Sequence, residues 1–412
     1  MRICLVYDCL YPWTVGGAER WYRALAEQLA AGGHEVTYLT LRQWDQEAPP
    51  LIPGVHVIAV GPRLALYTRG RRRILPPLIF GGGVLLHLLR SGRSYDVVHT
   101  ASFPYFALLA AVVGRRWGRY GIVVDWWEVW TRGYWRAYLG RLRGEIGWGV
   151  QRLGLRSVHS AFCFSRLHER RLREEGFSGR LTRLTGIYAG RGPVRPPAPS
   201  EAVVVYAGRH IPEKRVPALI PAIAKVREHL PELRATIFGD GPDRAQVERL
   251  VARSGLEAWI AVPGFVDETT LHAALDRALC LVLPSRREGY GLVVVEAAAR
   301  GTPSVVVRDP DNAATELIEE GVNGFIAPSV SAEDLASAIL RVHAAGFTLR
   351  SSTASWFTAN ARRLGLASAL ETVTAVYADR DDGNDHAGRA VRWPRSWHDH
   401  RVTGAGASHP DA

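Results

Sequence analysis

The feature that most constrains the fold of this chain is a repeated alternation of short apolar runs with amphipathic helical patterns. In the first half, the pattern predicts strands at residues 2–7, 35–41, 55–60, 95–99, 121–125 and 157–164. Residues 17–31 carry apolar side chains at helical spacing and are followed by Gly32 and Gly33, which stop a helix. Strands that alternate with helices favour parallel βαβ units, so we predict a doubly wound α/β sheet here.

The alternation begins again after residues 186–200, a segment rich in glycine and proline. It predicts strands at residues 202–206, 235–238, 259–262, 278–283 and 304–307, and a helix over residues 331–344 that Ser331 caps. We therefore predict two α/β domains, at 1–185 and 201–378, joined by a linker at 186–200. Residues 379–412 are polar with few aliphatic side chains, which is typical of a disordered tail.

The charge of the chain is unevenly distributed. Residues 1–199 contain 28 arginines and 13 acidic residues, a balance of +15, and the remainder carries 23 basic and 27 acidic residues, a balance of −4, which together give the net +11. The difference supports two domains of different character. A basic excess suits nucleic acid, a membrane surface or a phosphorylated substrate. Because no nucleic-acid-binding module is recognisable, we do not expect a nucleic-acid partner.

The composition also indicates in which cellular compartment we expect the protein. The sequence has no run of 18 apolar residues, so we expect no transmembrane helix. It opens directly on a predicted strand, so we expect no secretory signal peptide. The four cysteines form no CxxC pair and fall mostly in apolar runs, which favours buried thiols in a reducing cytosol over disulfides or a metal site.

The most informative residues are two carboxylates, Glu288 and Glu296. Glu288 follows the strand at 278–283 and precedes a Gly289–Tyr290–Gly291 turn, and Glu296 lies eight residues further on. A turn that leads from a strand into a helix suits a phosphate, because the first N–H groups of a helix have no partner inside it. If all eight residues were helical, the carboxylates would be about 12 Å apart along the axis. The alternative is a pair of solvated glutamates at a helix start.

Other turns of the second half have related chemistry. Arg209 and Lys214 follow the strand at 202–206, and two cations at the carboxyl end of a parallel strand suit a diphosphate. Lys214 is one of only two lysines in the chain. Gly239 and the turn before Phe265 permit close approach of backbone to a ligand, and Gly17 starts a helix in a geometry that suits phosphate. Taken singly, each of these is as well explained by a solvated or ordinary turn.

In this order and spacing, the motifs resemble the GT-B glycosyltransferases, specifically the retaining family of GT4 type. The resemblance covers about residues 1–345. The family pattern has five parts, which are a GR…K loop, a GDGP turn, an E-x7-E motif, a GTP segment and a late GxNG segment. This chain matches them in the same order at Gly208–Arg209…Lys214, 239–242, Glu288…Glu296, 301–303 and 321–324. The turn at 16–19 matches the N-terminal GGxE of the family. The resemblance implies two Rossmann-like domains that face a cleft.

The resemblance also implies roles for the residues. The second domain would bind a nucleotide-diphospho-sugar, with Arg209 and Lys214 on the diphosphate and Glu296 on the ribose hydroxyls. Glu288 and the backbone of the following turn would hold the donor sugar, and Phe265 would flank the base. The remaining donor-site positions are Gly17, Gly239, Gly289, Tyr290 and Gly291. The family needs no bound metal, because cations and helix N-termini neutralise the leaving diphosphate, and its reaction retains the anomeric configuration.

One departure from the family lies in the first domain. Many relatives have a histidine after the strand at 121–125, and this chain has Trp127 there. Asp125 and Glu128 are candidates for contacting the acceptor hydroxyl, or for pairing with Arg132 or Arg136. His99 is retained, with a structural role as the simpler interpretation. The departure leaves open a catalytically weak nucleotide-sugar-binding subunit in place of a full transferase.

The acceptor is expected on the first domain. An arginine cluster at residues 69–73 adjoins an apolar stretch at 74–90 that is too short to span a bilayer. These segments suit an anionic membrane surface, and the aromatic and arginine residues at 126–148 suit a sugar or lipid phosphate. The alternative is an ordinary packed helix and a solvated charge run. The expected function is synthesis of a cell-envelope polysaccharide or glycolipid, in the cytoplasm or peripherally on the inner face of the cell membrane.

Overall fold

The computed structural model describes residues 1–45, 49–68, 71–190 and 199–379. The expected disordered tail falls outside the described residues from position 380 onward. Residues 191–198 of the expected linker and Arg69 of the arginine cluster also fall outside them.

The first half of the chain forms a parallel sheet of seven strands in the order β3-β2-β1-β6-β7-β8-β9. Its strands are β1 (Arg2–Val6), β2 (Glu35–Leu41), β3 (Val55–Gly61), β6 (Val97–Ala101), β7 (Gly121–Trp126), β8 (Ser160–Cys163) and β9 (Leu181–Arg183), and β4 (Tyr67–Thr68) and β5 (Arg71–Arg72) form a separate antiparallel ladder. The strand order reverses at β1, which is where α/β sheets bind ligands outside the carboxyl ends of their strands.

The second half forms a parallel sheet of six strands in the order β12-β11-β10-β13-β15-β17. Its strands are β10 (Val203–Ala207), β11 (Arg234–Phe238), β12 (Ile260–Gly264), β13 (Cys280–Leu283), β15 (Ser304–Val307) and β17 (Gly324–Ala327), and β14 (Arg287–Glu288) pairs separately with β16 (Asp311–Asn312). The prediction of two doubly wound parallel sheets is confirmed. The domain boundaries at 185 and 201 stay predictions.

Helices cover the sheets. They are α1 (Gly17–Ala31), α2 (Leu75–Ser91), α3 (Tyr105–Gly118), α4 (Arg132–Leu139), α5 (Arg141–Arg156), α6 (Arg166–Glu174), α7 (Leu219–Arg227), α8 (Arg244–Arg253), α9 (Glu268–Arg277), α10 (Leu292–Ala298), α11 (Ala332–Leu364) and α12 (Leu366–Ala378). Ser331 caps α11 as predicted, by accepting a hydrogen bond from the Asp334 N–H. The helix extends beyond the predicted end at residue 344, with a break at Gly346.

Alternate residues of β1 enter two different cores. Ile3 and Leu5 pack on one face of the first sheet with α1, and this core continues into the second sheet. Cys4 and Val6 pack on the opposite face with α2 and α3. Because the strands are buried on both faces, they need the continuous apolar runs that the sequence shows.

The last helix of the described chain returns to the first sheet. In α12, the Tyr377 hydroxyl lies 2.6 Å from Nδ1 of His99, at the middle of β6. Just beyond the helix, Asp379 pairs with Arg180 at 2.8 Å. The first sheet is therefore completed by residues from the far end of the described chain.

The segment from Glu288 to Glu296 is not helical throughout, because the turn predicted at residues 289–291 separates Glu288 from the helix that carries Glu296. Glu288 belongs to the short strand β14, and α10 begins at Leu292. The reason is Gly291, whose φ of +99° lies in the left-handed region that interrupts a helix and favours glycine. The distance of about 12 Å along a helix axis does not apply.

Candidate active site between the two sheets

The predicted donor-site loops converge at the carboxyl edge of the second sheet. Since β12, β11, β10 and β13 are parallel neighbours, Phe265, Gly239, Arg209 and Glu288 all follow strand ends on that edge. Gly239 has a φ of +114°, and a Cβ there would lie 1.9 Å from the carbonyl oxygen of Gly208. The backbones of these turns approach each other so closely that only glycine fits at position 239.

Lys214 and Glu288 form a buried ion pair in this edge. The Lys214 Nζ donates to Glu288 Oε1, and the Ser285 hydroxyl donates to the same oxygen at 2.7 Å. Glu288 is 8% exposed. Arg209 is exposed on the neighbouring loop, whose backbone is fixed by a hydrogen bond of 3.0 Å from the Tyr206 hydroxyl to the Arg209 carbonyl.

Glu296 pairs across the cleft with a residue of the first half. Arg20 Nη1 lies 2.8 Å from Glu296 Oε1. Burial raises the pKa of the Glu296 carboxyl above its ordinary value, and the Arg20 guanidinium opposes this rise. Arg20 is on α1, one turn after Gly17, so the first helix and the second carboxylate meet in the cleft. Gly17 itself is exposed, with open space around the position of a Cβ.

A second ion pair across the cleft joins Glu128 to Arg287. Arg287 Nε lies 2.9 Å from Glu128 Oε2, which also accepts a hydrogen bond of 2.8 Å from the Trp130 indole. Burial raises the pKa of Glu128, but Arg287, His168 and Trp130 together outweigh it, and the pKa is lowered overall. The alternative that Glu128 pairs with Arg132 or Arg136 is wrong, because both arginines pair with Glu145.

Asp125 does not reach the cleft. It is fully buried, with His99 Nε2 at 2.9 Å from one carboxylate oxygen and Trp21 Nε1 at 2.7 Å from the other. Both carboxylate oxygens are hydrogen-bonded inside the fold, so Asp125 is not placed to contact an acceptor hydroxyl, and that expectation is wrong. His99 has the structural role expected for it, since it links Asp125 to Tyr377.

Trp127 lies against the donor loop. Its ring stacks on Phe164 at 3.7 Å between centroids with parallel planes, and packs edge-on against Trp21. A Cβ added at Gly289 would lie 2.6 Å from the Trp127 carbonyl oxygen. The residue that replaces the expected histidine therefore sits at the contact between the two halves.

The two aromatic donor-site candidates differ in availability. Phe265 is 63% exposed and free to pack against a planar group. Tyr290 is buried, and its hydroxyl donates to the Thr185 carbonyl at 3.1 Å. The Tyr290 side chain thus anchors the loop to the last residue of the expected first domain, and only its backbone is available to a donor.

Further contacts across the cleft were not foreseen from the sequence. Glu316 accepts hydrogen bonds from the N–H groups of Arg166 and Leu167, at 2.8 and 2.7 Å, and so caps α6 from the other half of the chain. Arg171 pairs with Asp311 at 2.6 Å. Among the described residues, no group of three His, Cys, Asp or Glu side chains is arranged to hold a metal ion.

Two parallel α/β sheets whose loops meet in a cleft are the architecture of the GT-B fold. Two family models match consecutive parts of the chain, a glycosyl transferase 4-like domain at residues 16–186 and glycosyl transferases group 1 at 194–357. The chain belongs to the GT4-type glycosyltransferases, and it takes its sugar from a nucleotide-sugar donor.

Individual relatives agree with this family. The chain is 29% identical to glycogen synthase of Mycobacterium tuberculosis over 338 residues, 74% of this chain and 77% of that protein. It is 31% identical to alpha-D-kanosaminyltransferase of Streptomyces kanamyceticus over 140 residues, 34% of this chain and 36% of that protein. The structure of sucrose-phosphate synthase from Thermosynechococcus elongatus matches with a TM-score of 0.77 and 20% identity, covering 93% of this chain and all of that one.

Proposed function

We propose that this chain is a retaining glycosyltransferase that moves a sugar from a nucleotide-diphospho-sugar to a hydroxyl of a lipid-linked or polysaccharide acceptor. The observation that carries the proposal is the pairing of each carboxylate of the E-x7-E motif with a cation in the cleft, Glu288 with Lys214 and Glu296 with Arg20. Two buried carboxylates and two cations at one cleft are the groups that a sugar and a diphosphate require.

On the donor side, Lys214 and Arg209 bind the diphosphate. The charge of Lys214 is balanced by Glu288, so a diphosphate that binds Lys214 replaces one anionic partner with another. Glu288 then accepts hydrogen bonds from the donor sugar together with the backbone of residues 289–291. Glu296 accepts from the ribose hydroxyls, and Phe265 packs against the base.

In the chemical step, the bond from the anomeric carbon to the diphosphate oxygen breaks and the acceptor oxygen bonds to the same face of the sugar. The acceptor proton passes to the departing phosphate oxygen. Lys214 and Arg209 stabilise the charge that develops on the diphosphate, and this proposal requires no metal. Glu288 positions the sugar. Glu128, kept ionised by Arg287, is the candidate for orienting the acceptor hydroxyl.

The test is turnover of labelled UDP-, GDP- and ADP-sugars with membrane extract as the source of acceptor. We call the pairs Lys214–Glu288 and Arg20–Glu296 the donor clamp. Lys214→Ala and Glu288→Ala should each abolish transfer and donor hydrolysis, since each removes one member of the donor clamp. Lys225→Ala is the matched control, because the only other lysine pairs with Glu333 on the surface. NMR of the product reports the anomeric configuration. Full turnover in both clamp variants, or an inverted product, would contradict the assignment.

A catalytically weak nucleotide-sugar-binding subunit is the second candidate, and Trp127 is the observation that favours it. Its ring is stacked on Phe164, and the family resemblance leads us to expect a histidine near the donor sugar at this position. The same experiment separates the two functions. Calorimetric donor binding without turnover, together with turnover gained by Trp127→His, would identify a binding subunit.

The proposed location is the cytoplasmic face of the cell membrane. No helix among the described residues is long and apolar enough to cross a bilayer. The neighbouring helices α2, α3 and α5 form one layer whose outer side exposes large apolar residues, namely Leu75, Leu78, Leu86, Leu89, Val113, Trp117, Leu142, Ile146 and Leu153. We name this the apolar-basic face, because Arg90, Arg116 and Arg143 are exposed on the same three helices. Such a surface suits peripheral binding to anionic lipid.

A further inference from the structure

A cavity of about 650 Å³ lies beside the donor loop, between α6 and the segment that follows β15. Its walls come from both halves of the chain. Arg166 and Arg170 line it from α6, and Arg308 lines it from the end of β15. The donor-site residues Lys214, Glu288 and Glu296 do not line this cavity.

The cavity has an excess of positive charge, because three arginines and only two carboxylates line it. Its two carboxylates are already engaged, because Asp309 pairs with Arg215 at 3.0 Å and both oxygens of Glu316 accept backbone N–H groups of α6. Arg170 makes only a long contact of 3.6 Å to an exposed glutamate on its own helix. Within the described part of the chain, the guanidinium groups of Arg166 and Arg308 have no ion pair or hydrogen bond.

The cavity adjoins the reacting end of the donor site. Asn312 lines it, and the Asn312 side-chain amide donates to the Ser285 carbonyl at 3.2 Å. The backbone of Asn312 also pairs with that of Glu288 in the β14–β16 ladder. A group in the cavity is therefore separated by one strand from the carboxylate assigned to the donor sugar, close enough to belong to the acceptor.

We propose that this cavity binds a phosphate group of the acceptor substrate. The inference rests on the proposed function, since it names the chemistry of the acceptor of that same transfer. Guanidinium groups hold phosphate through paired hydrogen bonds, and three of them suit a dianionic phosphate monoester. The phosphate belongs either to a lipid phosphate, as in the lipid-linked acceptor proposed above, or to a soluble sugar phosphate, which would take the place of that acceptor.

The test is calorimetric binding of glucose 6-phosphate, farnesyl phosphate and uncharged glucose to the full chain. At least one phosphate probe should bind and glucose should not. Arg166→Ala and Arg308→Ala should each weaken the phosphate probe by about tenfold or more, since each removes a charge-assisted contact. Arg253→Ala, at an exposed position at the end of α8, is the matched control and should leave binding within about twofold of the wild type. The probe that binds more tightly identifies the source of the phosphate.

Nucleotide binding, measured in the same variants, separates this inference from the proposed function. One outcome is that UDP, GDP or ADP binds equally to all variants, while the phosphate probes bind weakly or without dependence on Arg166 and Arg308. That outcome would overturn the cavity assignment and leave the donor site supported. Failure of every nucleotide to bind the wild type would overturn the donor site. Arginine-dependent binding of a phosphate probe would still support the cavity as a phosphate site.

Discussion

The two carboxylates of the donor clamp are paired with cations from different halves of the chain. Lys214 lies on the same half of the chain as Glu288, whereas Arg20 reaches Glu296 from the other half. Glu296 therefore has an environment that depends on closure of the cleft. Burial raises its pKa, and Arg20 is the strongest of the groups that oppose the rise.

Removing Arg20 should change how stability depends on pH. A carboxyl whose pKa is raised on folding binds its proton more tightly in the folded state, so the free energy of unfolding falls as pH rises from the ordinary value of 4.5 through the folded pKa. Arg20→Ala lifts that pKa further. We expect the loss of stability between pH 5 and pH 7 to be steeper in Arg20→Ala, by about 1.4 kcal/mol for each additional pKa unit. Thermal midpoints across this range measure it.

Arg23→Ala is the control for this experiment. Arg23 is on the same helix and pairs with the exposed Glu27 at 2.6 Å, so its removal leaves the cleft unchanged. The pH profile of Arg23→Ala should follow that of the wild type. Parallel profiles for all three proteins would refute the assigned role of Arg20.

At the scale of elements, local patterns determine most of what is predictable. Helix α1 and strand β2 have the predicted bounds, because periodicity and flanking glycines are local signals. The pair Arg20–Glu296 spans 276 positions and has no local signal. Asp125 was misassigned because its partners, Trp21 and His99, come from other elements. The position of the donor loops at the ends of neighbouring parallel strands was predictable from the sequence, and the contacts across the cleft were not.

The loop between β14 and α10 should be sensitive to a single added methyl group. A Cβ at Gly289 would lie 2.6 Å from the Trp127 carbonyl oxygen, a backbone atom that cannot move away like a side-chain end. We expect Gly289→Ala to push the halves apart at a cost of about 1–3 kcal/mol, raising the radius of gyration in solution scattering and lowering transfer.

Gly149→Ala is the matched glycine variant. Position 149 is inside α5, and a Cβ there meets nothing within 4 Å. Alanine is also the better helix former, so the thermal midpoint should be unchanged or higher. An unaltered scattering profile and full transfer in Gly289→Ala would show that the cleft tolerates the methyl group.

For the whole molecule, the apolar-basic face should attach the protein to anionic lipid. We expect co-sedimentation with vesicles that contain phosphatidylglycerol and little with pure phosphatidylcholine, since apolar insertion and charge act together. The double change Leu86→Glu and Leu89→Glu should remove this binding, because it places two negative charges on α2 facing the lipid.

Phe347→Glu provides the comparison, because Phe347 is similarly exposed, at 53% against 48% for Leu86 and 43% for Leu89, but is on α11. It should bind vesicles like the wild type. If the Leu86 and Leu89 double variant sediments with vesicles as much as the wild type does, the lipid contact lies elsewhere on the protein.

The return of α12 to the first sheet bears on the order in which the chain can fold during synthesis. The buried network of Asp125, His99 and Tyr377 joins residues made early to a residue made near the end of the described chain. Until residues 366–378 have left the ribosome, the first sheet lacks a helix that covers part of its core. The first half therefore emerges as an incomplete unit, and its final consolidation waits for the second half to be built.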